Sequence, residues 1–522
     1  MRIALALLGC ALLIGAASPP GADIAIPVTA APGLGDHLSG RLIVFAEKAG
    51  PGAKPAKAVD FSPFEPTAAS IAARELTDLR PGTPALIDGE TDAFPAPLST
   101  LGPGTYRVQA VLDRNHNYNY AGRGEGDLVS DVVEVTLPGK VPVITLNRAL
   151  PGVDLTAMLA NRPEAIRKRV GGNLDKVKPV AFLSPVLSAF RGTPTYINGW
   201  VALPPGYDGR TKFPTVYSDG GFGSSLDSAK AGAAGTMGLM AEGKMPPMIW
   251  VYLDHSGPTG TNEFADSANN GPWGKALTSE LIPALERRYA MDATPRGRFL
   301  TGHSSGGWST LWLQVRYPKM FGGSWPTSPD PSDFHDFTNV DLYARNANFY
   351  RGADGRPFPL ARDQGKVIAT GEQFTRAEGV LGSYGGQIAS FEWVFSPRGA
   401  NGQPVPLFDR ATGRIDPAVV TYWRDHFDIA YIIARNARAL KPDLNGKIHL
   451  IVGTADTFYL DGPAHLLEAA MKKAGIAASF TYIPGKTHFD LYERGGDQQA
   501  VQRDIAWAMY AIARPGSKRP AD

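Results

Sequence analysis

The spacing of apolar and polar positions divides the chain at about residue 150. Before that point apolar residues recur at every second position, as at Tyr106, Val108 and Ala110, and this is the period of a half-buried β-strand. Breaks rich in glycine and proline separate the apolar segments, and no long stretch has helical spacing. The pattern predicts a small all-β sandwich domain over residues 23–150. Its predicted strands are residues 41–45, 105–112, 132–137 and 141–146.

After residue 150, strand-like and helix-like segments alternate, which is typical of a mostly parallel sheet. Residues 155–170 have helical spacing and are predicted to connect the two domains. An amphipathic helix is predicted at residues 277–288. The second domain is predicted to run from residue 151 to residue 515. Its predicted strands are residues 180–184, 195–203, 213–217, 247–253, 298–300, 447–452 and a strand that begins at residue 478.

A long segment interrupts this alternation. More than a hundred residues separate the strand that ends near Trp325 from the strand that begins at Lys447. Connections between neighbouring elements are ordinarily much shorter, so residues 326–445 are predicted to be an inserted cap or lid. The segment is rich in aromatic residues. We expect most of them to form the core of the cap and a few to line an acyl or aryl pocket.

Length and composition restrict the class of protein. A chain of 522 residues is too long for one ordinary core, so two domains are expected. The chain is 43% hydrophobic and 20% charged, as soluble globular proteins are. Its net charge is only +2 and no basic cluster is present, which argues against nucleic acid as a partner. The sequence does not indicate an oligomeric state.

The first residues have the pattern of a secretory signal. Arg2 precedes an apolar run, and small residues follow it up to Ala17, so residues 1–22 are predicted to be a signal peptide of a periplasmic or secreted protein. No later stretch is long enough for a transmembrane helix. The segment around Cys10 resembles a lipoprotein box, but it lies too near the start to favour a lipid anchor. Cleavage after Ala17 would remove this single cysteine, which excludes disulfides, thiol catalysis and cysteine metal sites.

One short motif carries candidate chemistry. Phe299 and Leu300 lead into Gly302-His303-Ser304-Ser305-Gly306, and a segment with helical spacing follows. The pattern G-x-S-x-G between a strand and a helix is the nucleophile elbow, a tight turn that lifts a serine hydroxyl clear of the backbone. The strand and helix pass so closely that side chains two residues before and after the serine would clash, and glycine avoids this clash. The spacing therefore predicts Ser304, and not Ser305, as the nucleophile.

Several motifs follow one another at the spacing of a known family. They are Leu203-Pro-Pro-Gly-Tyr-Asp208, the pair Gly220-Gly221, Glu280-Leu-Ile-Pro-Ala-Leu-Glu-Arg-Arg-Tyr289 and Gly302-His-Ser-Ser-Gly-Gly307. Together they resemble the putative esterase family of α/β-hydrolases, which groups siderophore, feruloyl and other carbohydrate esterases, S-formylglutathione hydrolase and mycolyltransferases. The resemblance covers residues 180–325 and, less closely, 445–512, and none of the first domain. It implies an α/β-hydrolase fold and hydrolysis of an ester without a cofactor.

A serine hydroxyl needs a base that takes its proton, and α/β-hydrolases supply the residues in the order serine, acid, histidine. His488 follows the strand that begins at residue 478, which is the position of the triad histidine in the resemblance. Asp456 follows the strand before it and is predicted to orient the imidazole. Asp461 is a rival acid, although it is also explained as the start of a helix. A third possibility is one of the aspartates 330, 333 and 336.

An ester hydrolase also needs donors for the oxyanion. In this fold they are backbone N–H groups, here those of Ser305 and of Gly221 or Phe222. Trp273 is a candidate for substrate binding by its position. No metal site is predicted, because the aspartates and the histidine between residues 330 and 336 do not have the spacing of a known site. Residues 113–119 resemble the start of a calcium loop, but Tyr118 stands where that loop needs glycine, so a polar hairpin turn is favoured.

These observations predict an exported two-domain serine hydrolase that cleaves a carboxylic ester. Three alternatives stay open: an acyltransferase with the same residues, a peptidase with the same triad, and a non-catalytic binding protein on a hydrolase scaffold. The β domain could bind substrate or a glycan, position the catalytic domain, or only cover its surface. The sequence does not name the ester, because pocket identity depends on the inserted segment.

Overall fold

The computed structural model describes residues 24–50, 56–160, 162–382 and 384–520. The predicted signal peptide, with Cys10, lies outside these ranges. None of the helices within them combines the length and hydrophobicity that crossing a bilayer requires.

Strands dominate the described chain before residue 150. One helical turn, α1 (Tyr118–Ala121), lies between the sixth and seventh strands. The strands are β1 (Ala25–Ala30), β2 (Leu38–Lys48), β3 (Ala69–Leu79), β4 (Ala85–Asp88), β5 (Ala93–Phe94), β6 (Gly104–Asp113), β7 (Leu128–Ser130), β8 (Val133–Leu137) and β9 (Ile144–Ala149).

All nine strands join in one sheet, in the order β4-β1-β9-β7-β6-β2-β3-β5, with β8 also paired to β6. Its pairs are antiparallel except β1 with β9. The predicted sandwich stays a prediction, because the strands do not separate into two hydrogen-bonded sheets. Strand β3 was not predicted, because its alanines and charged residues do not alternate with a period of two, and its burial is irregular as well. Nine residue pairs with β2 hold this strand in the sheet.

The centre of β2 is buried on both faces. Leu42 and Val44 belong to a core inside the β domain. Ile43 and Phe45 belong to a second core on the other face, which also contains Val380 and other residues of a helix more than 300 residues later. Both faces of the sheet are therefore covered, and the β domain packs against the rest of the molecule through one of them.

The second domain begins with two helices where the sequence predicted one. Pro163 separates them, because proline disfavours the helical conformation of the residue before it. The elements up to the elbow are α2 (Leu155–Leu159), α3 (Glu164–Gly171), β10 (Lys178–Leu183), α4 (Pro185–Arg191), β11 (Tyr196–Ala202), β12 (Thr215–Asp219), α5 (Leu226–Ala241), β13 (Ile249–Leu253), the short strands β14 (Ser256–Gly257), β15 (Gly260–Thr261), β16 (Asp266–Ser267) and β17 (Gly271–Pro272), α6 (Trp273–Ala276), a π-helical turn at Leu277–Leu281 and α7 (Ile282–Arg288).

The second half contains the elbow, the predicted insertion and the end of the sheet. The elbow lies between β18 (Arg298–His303) and α8 (Ser305–Arg316), and β19 (Gly323–Thr327) follows. The insertion contains β20 (Pro359–Asp363), β21 (Lys366–Thr370), α9 (Gly371–Leu381), α10 (Gln387–Phe395), α11 (Pro417–Phe427) and α12 (Ile429–Leu444). The last elements are β22 (His449–Gly453), α13 (Asp461–Ala474), β23 (Ser479–Ile483) and α14 (Ala500–Ala513).

The main sheet of this domain has eight strands in the order β10-β11-β13-β12-β18-β19-β22-β23. From β13 to β23 every pair is parallel, while β11 runs against its neighbours. This confirms the predicted mostly parallel sheet. Because the carboxyl ends of parallel strands meet at one edge, residues that follow β12, β18, β19, β22 and β23 come together there.

Most aromatic residues of the insertion are buried in one large core, as the sequence predicted. Phe334, Phe337 and Trp423 pack edge to face with one another, with ring centroids 5.5 to 5.8 Å apart. The same core contains Trp308 and Trp312 of α8. The insertion is therefore packed against the helix that begins at the elbow.

Candidate active site

The turn between β18 and α8 has the geometry of a nucleophile elbow. Ser304 has φ 58° and ψ −124°, a left-handed conformation that a side chain rarely adopts. A Cβ on Gly302 would lie 2.2 Å from the carbonyl oxygen of Gly306, and one on Gly306 would lie 2.3 Å from the carbonyl oxygen of Gly220. The backbone therefore requires glycine at both positions, as the sequence motif predicted.

The hydroxyl of Ser304 faces a buried carboxyl group. Ser304 Oγ donates to Asp330 Oδ1 at 3.4 Å, and Ser305 Oγ donates to Asp330 Oδ2 at 2.6 Å. Asp330 is only 4% exposed. Burial raises the pKa of Asp330 to about 6, although the hydrogen bond from Ser305 opposes this shift. Asp330 was one of the alternative acids in the sequence, and the structure places it beside the serine and not beside His488's ring nitrogen Nδ1.

That nitrogen is occupied by Asp456. The distance between His488 Nδ1 and Asp456 Oδ2 is 2.9 Å, and both side chains are buried. The other oxygen of Asp456 accepts from the backbone N–H groups of Phe458 and Leu460. Burial alone would raise the pKa of Asp456, but the hydrogen bond and charge of His488 outweigh it and lower this pKa. An ionised carboxylate only accepts, so Nδ1 carries the proton of this hydrogen bond.

The rival acid lies elsewhere. Asp461 begins α13 and pairs with Arg362, whose Nη2 is 2.9 Å from Asp461 Oδ1.

His303 is close to His488, with ring centroids 4.4 Å apart. Burial, followed by the nearby His488, lowers the pKa of His303 to about 3. His303 is therefore a neutral neighbour of the Asp456–His488 pair at ordinary pH.

The loop after β12 lies directly against the serine. A Cβ on Gly221 would be 3.1 Å from Ser304 Cβ. The structure thus brings Gly221 and Phe222 to the nucleophile side of the site, and Ser305 begins α8 with its N–H at the helix terminus. These are the three predicted oxyanion residues.

A second buried histidine–aspartate pair supports this loop. His255 Nδ1 is 3.1 Å from Asp219 Oδ2, and His255 Nε2 is 3.2 Å from the carbonyl oxygen of Gly221. Burial lowers the pKa of His255, but Asp219 outweighs it, so the pKa lies above its ordinary value. Both ring nitrogens face acceptors, so both can donate when the ring is protonated. The bond to Gly221 O fixes the peptide group that carries the Phe222 N–H.

A cavity of about 640 Å³ surrounds the serine and the histidine. Its lining comes from three parts of the chain: the β domain, the main sheet edge and the insertion. The β domain contributes residues 60, 61, 63, 64, 118–120 and 122, the sheet edge 221–224, 303, 304, 458, 488, 489 and 492, and the insertion 374, 378, 381, 386 and 387. A smaller cavity of about 40 Å³ also borders Ser304, between Asp330, Phe391 and Leu460, and it shares Phe458 with the large cavity.

Trp273 does not line this cavity, and its role in substrate binding stays a prediction. Trp273 is buried, donates from Nε1 to the carbonyl oxygen of Asn270 at 3.0 Å, and packs against Phe264. It borders a separate cavity of about 270 Å³ near Arg191. Within the described ranges, no group of three His, Cys, Asp or Glu side chains is arranged to hold a metal ion.

A family model described as "Putative esterase" matches residues 192–508, which is more than half of the chain. The chain belongs to this esterase family. The match confirms the resemblance seen in the sequence, and it spans Gly221, Ser304, Asp330, Asp456 and His488. It leaves out the β domain, which lies before residue 150.

The chain is similar to several named proteins. It is 32% identical over 132 residues to an endo-1,4-beta-xylanase/feruloyl esterase from Xylanibacter ruminicola, and this covers 23% of the chain and 18% of the relative. The match thus spans about a fifth of that relative's length. A solved ferulic acid esterase is 16% identical, with a TM-score of 0.40, over 65% of this chain and 97% of that one. An S-formylglutathione hydrolase from Agrobacterium tumefaciens is 15% identical, with a TM-score of 0.36, over 65% and 94%.

Sequence reasoning missed three groups at the site. His255 directly follows β13 and its neighbour Asp254, and a histidine at the carboxyl end of a strand was a usable signal. Asp330 was considered only as a triad acid or a metal ligand. The β-domain residues around Tyr120 were interpreted as a polar turn, because no local pattern shows that this turn reaches a site more than 180 residues away.

Proposed function

We propose that the esterase hydrolyses a carboxylic ester with Ser304 as nucleophile, His488 as base and Asp456 as the group that orients His488. One observation carries this proposal. A serine on a strained turn and a histidine bonded to a buried carboxylate border the same cavity. This is the constellation that nucleophilic acyl transfer needs.

In the first step, rotation of the Ser304 side chain turns its hydroxyl from Asp330 toward His488 Nε2. Oγ then attacks the ester carbonyl carbon while Nε2 takes the hydroxyl proton. The negative charge on the carbonyl oxygen is stabilised by the N–H groups of Ser305 and of Gly221 or Phe222. Asp456 holds the proton on Nδ1 and stabilises the imidazolium that forms.

In the second step, the tetrahedral intermediate collapses and the bond to the alcohol breaks. His488 returns the proton to the leaving oxygen, and an acyl group remains on Ser304. Water then attacks this acyl-enzyme with His488 again as the base. The bond between the acyl carbon and Ser304 Oγ breaks, His488 gives its proton to Oγ, and the acid is released. Every proton in this cycle moves between groups of the chain, the substrate and water, so the proposal needs no cofactor.

The test compares Ser304→Ala with wild type in fluorophosphonate labelling, peptide mapping and turnover of p-nitrophenyl acetate. We expect the label on Ser304 and a loss of turnover of at least about a thousandfold in the variant, since the triad acts as a unit. Ser279→Ala is the matched control, because Ser279 is exposed and donates only to the carbonyl oxygen of Lys275. Labelling of another serine, or full turnover by Ser304→Ala, would contradict the proposal.

We further propose that the protein is exported, on the basis of the apolar segment that precedes Ala17. Cell fractionation followed by intact-mass measurement tests this. A mature chain that begins shortly after Ala17, in the periplasm or the medium, is the expected result. A cytoplasmic chain that keeps residues 1–17 would contradict it.

A further inference from the structure

The cavity around Ser304 has one wall that comes from the β domain. We propose, building on the function proposed above, that this wall binds the alcohol part of the ester. The proposed substrate is a short-chain acyl ester of an uncharged alcohol that carries a ring. The family match does not extend to this wall, because it begins at residue 192.

The wall is held in place by direct hydrogen bonds to both neighbouring parts of the cavity. Tyr120 Oη donates to the carbonyl oxygen of Ser224 at 2.8 Å, and its ring lies edge-on to Phe222 with centroids 4.8 Å apart. Asn119 Nδ2 donates to the carbonyl oxygens of Glu378 and Gly382 in and beyond α9, at 2.9 and 2.6 Å. These hydrogen bonds therefore hold the turn that carries Asn119 and Tyr120 in a defined position at the site.

The same wall ends in a ring beside His488. Phe64 packs against Phe458 and Phe489, with centroids 6.1 and 5.6 Å away. These two rings lie 4.9 and 5.4 Å from the ring of His488. Phe489 is 66% exposed, and such an exposed aromatic group beside a candidate catalytic base is the surface on which an apolar ring of a ligand would pack.

The position of His488 decides which side of the ester this surface contacts. His488 must return a proton to the leaving alcohol oxygen, so the alcohol lies next to its ring during the reaction. Phe458 and Phe489 pack against that ring, and Phe64 packs against both of them. Hence the alcohol meets Phe64 and Phe489, which line only the large cavity, whereas Phe458 lines both cavities.

The acyl group is left with the small cavity that also borders Ser304. Its volume of about 40 Å³ corresponds to about three water molecules, at roughly 10 to 15 Å³ each. A group of the size of acetyl fits this space, and an aromatic acyl group does not. The lining there is mostly apolar, with Ile388, Phe391 and Leu460 among its residues.

Charge restricts the alcohol further. No lysine or arginine is among the described residues that line the large cavity. Its two carboxyl groups are already engaged: Asp60 pairs with Arg123 and accepts from the Tyr118 hydroxyl, and both oxygens of Glu378 accept backbone N–H groups. An anionic alcohol would therefore meet only negative or neutral groups, and an uncharged one is favoured.

The experiment uses the full-length protein and three esters, of which the first two are isomers. 2-Phenylethyl acetate carries its ring on the alcohol, methyl 3-phenylpropanoate carries it on the acyl group, and ethyl acetate has no ring. We expect wild-type kcat/KM to be higher for 2-phenylethyl acetate than for its isomer by about tenfold or more, because the small cavity excludes the longer acyl group. Equal rates, or the opposite preference, would overturn the assignment of the two cavities.

The variant Phe64→Ala tests the β-domain wall. We expect its kcat/KM for 2-phenylethyl acetate, relative to that for ethyl acetate, to fall about threefold to tenfold, mainly through KM, since one aromatic contact is lost. Leu86→Ala is the control, because Leu86 is an apolar residue of the same domain, is 47% exposed and does not line the cavity. An unchanged ratio in Phe64→Ala would show that the β domain does not bind the ring.

A binding measurement separates this inference from the proposed function. Titration calorimetry of 2-phenylethyl acetate with Ser304→Ala, and with Ser304→Ala combined with Phe64→Ala, does not depend on turnover. Weaker binding in the double variant supports the role of the β-domain wall in binding the alcohol, even if Ser304 proves not to be the nucleophile. Equal binding contradicts that role, even if fluorophosphonate labels Ser304 in the wild type.

Discussion

At the scale of single residues, Asp330 is the group whose chemistry the sequence least reveals. It follows β19 at the edge where the site lies and accepts hydrogen bonds from both serines of the elbow. A carboxylate there would place a buried negative charge beside the hydroxyl group of Ser304. Its raised pKa means that the proton is lost only near pH 6.

Replacing Asp330 should change how stability depends on pH. A carboxyl group whose pKa is raised from 3.8 to about 6 in the folded protein binds its proton more tightly when folded. The wild type therefore loses stability as the pH rises from about 4 to 6, whereas Asp330→Asn keeps the acceptor and has no proton to lose. We expect the difference in unfolding free energy, variant minus wild type, to grow by up to about 3 kcal/mol over this range.

Urea denaturation at pH 4, 5, 6 and 7 measures this difference. Asp354→Asn is the control, since the Asp354 side chain is 54% exposed, and its difference should stay flat. If the difference in unfolding free energy for Asp330→Asn is also independent of pH, the pKa of the buried Asp330 carboxyl group is not raised.

The residues that could be predicted from the sequence are those with a local signal. Ser304 was marked by its glycines, and Asp456 and His488 by the strands that precede them. Trp273 had only a position in the chain, and its ring belongs to a different core. Phe64 and Tyr120 could not be predicted, because their contacts with Phe489 and Phe222 join parts of the chain that share no local pattern.

At the scale of elements, the loop that follows β12 depends on a histidine from the loop that follows β13. His255 bonds to the carbonyl oxygen of Gly221 and is itself held by Asp219. The same peptide unit carries the N–H of Phe222, which is a proposed oxyanion donor. A loosened peptide would affect the transition state more than the bound substrate.

His255→Phe should therefore lower kcat more than it changes KM. We expect a fall of about tenfold to a hundredfold in kcat for p-nitrophenyl acetate, somewhat less than the loss of an entire oxyanion donor. His426→Phe is the control, because His426 is exposed and bonds only to the carbonyl oxygen of Tyr422. Circular dichroism checks that the variant is folded, and Asp219→Asn, which keeps the ring, should have a smaller effect in the same direction.

A rise in KM with unchanged kcat would contradict this role for His255. It would mean that the pair supports substrate binding and not the oxyanion.

Elements with strong periodicity were predicted well and the others were not. The parallel strands β12, β18 and β22 have short apolar runs bounded by turn residues. Strands β12 and β22 lie within two residues of their predictions, and β18 begins at the predicted residue and ends three residues later. The predicted connector helix is split because Pro163 overrides its periodicity. Strand β3 depends on pairing with β2, which is a tertiary effect that a local pattern does not contain.

At the scale of the whole molecule, the β domain and the catalytic domain share a hydrophobic core. Ile43, Phe45 and Val111 of the β domain pack with Ala377, Val380 and Leu381 of α9. Arg41 adds two hydrogen bonds to the carbonyl oxygen of Val380, at 2.9 and 2.6 Å. Domains joined through a buried apolar core are expected to unfold together.

We therefore predict one calorimetric unfolding transition for the wild type and two for Val380→Asp. A charge in the shared core should loosen the contact between the domains at a cost of several kcal/mol, so that each then unfolds at its own temperature. Val367→Asp is the control, since Val367 is 47% exposed on β21, and it should keep a single transition. Two transitions in the wild type would show that the domains are independent.

The order of the domains and the mostly parallel sheet could be predicted from the sequence, but their association could not. The pattern of the β domain predicted one buried face per strand, whereas β2 is buried on both. The second face is covered by a helix about 340 residues later. A contact between segments so far apart in sequence cannot be predicted from the local spacing of apolar residues.

The backbone of Ser304 has an evolutionary consequence. Its φ of 58° and ψ of −124° suit glycine better than serine, and holding a serine there costs about 1 to 3 kcal/mol. Only a benefit from the hydroxyl itself can keep serine at this position against mutation. In a descendant without selection for the Ser304 hydroxyl, glycine would replace serine because it removes the backbone strain of the turn. The fold would then become more stable while the activity was lost.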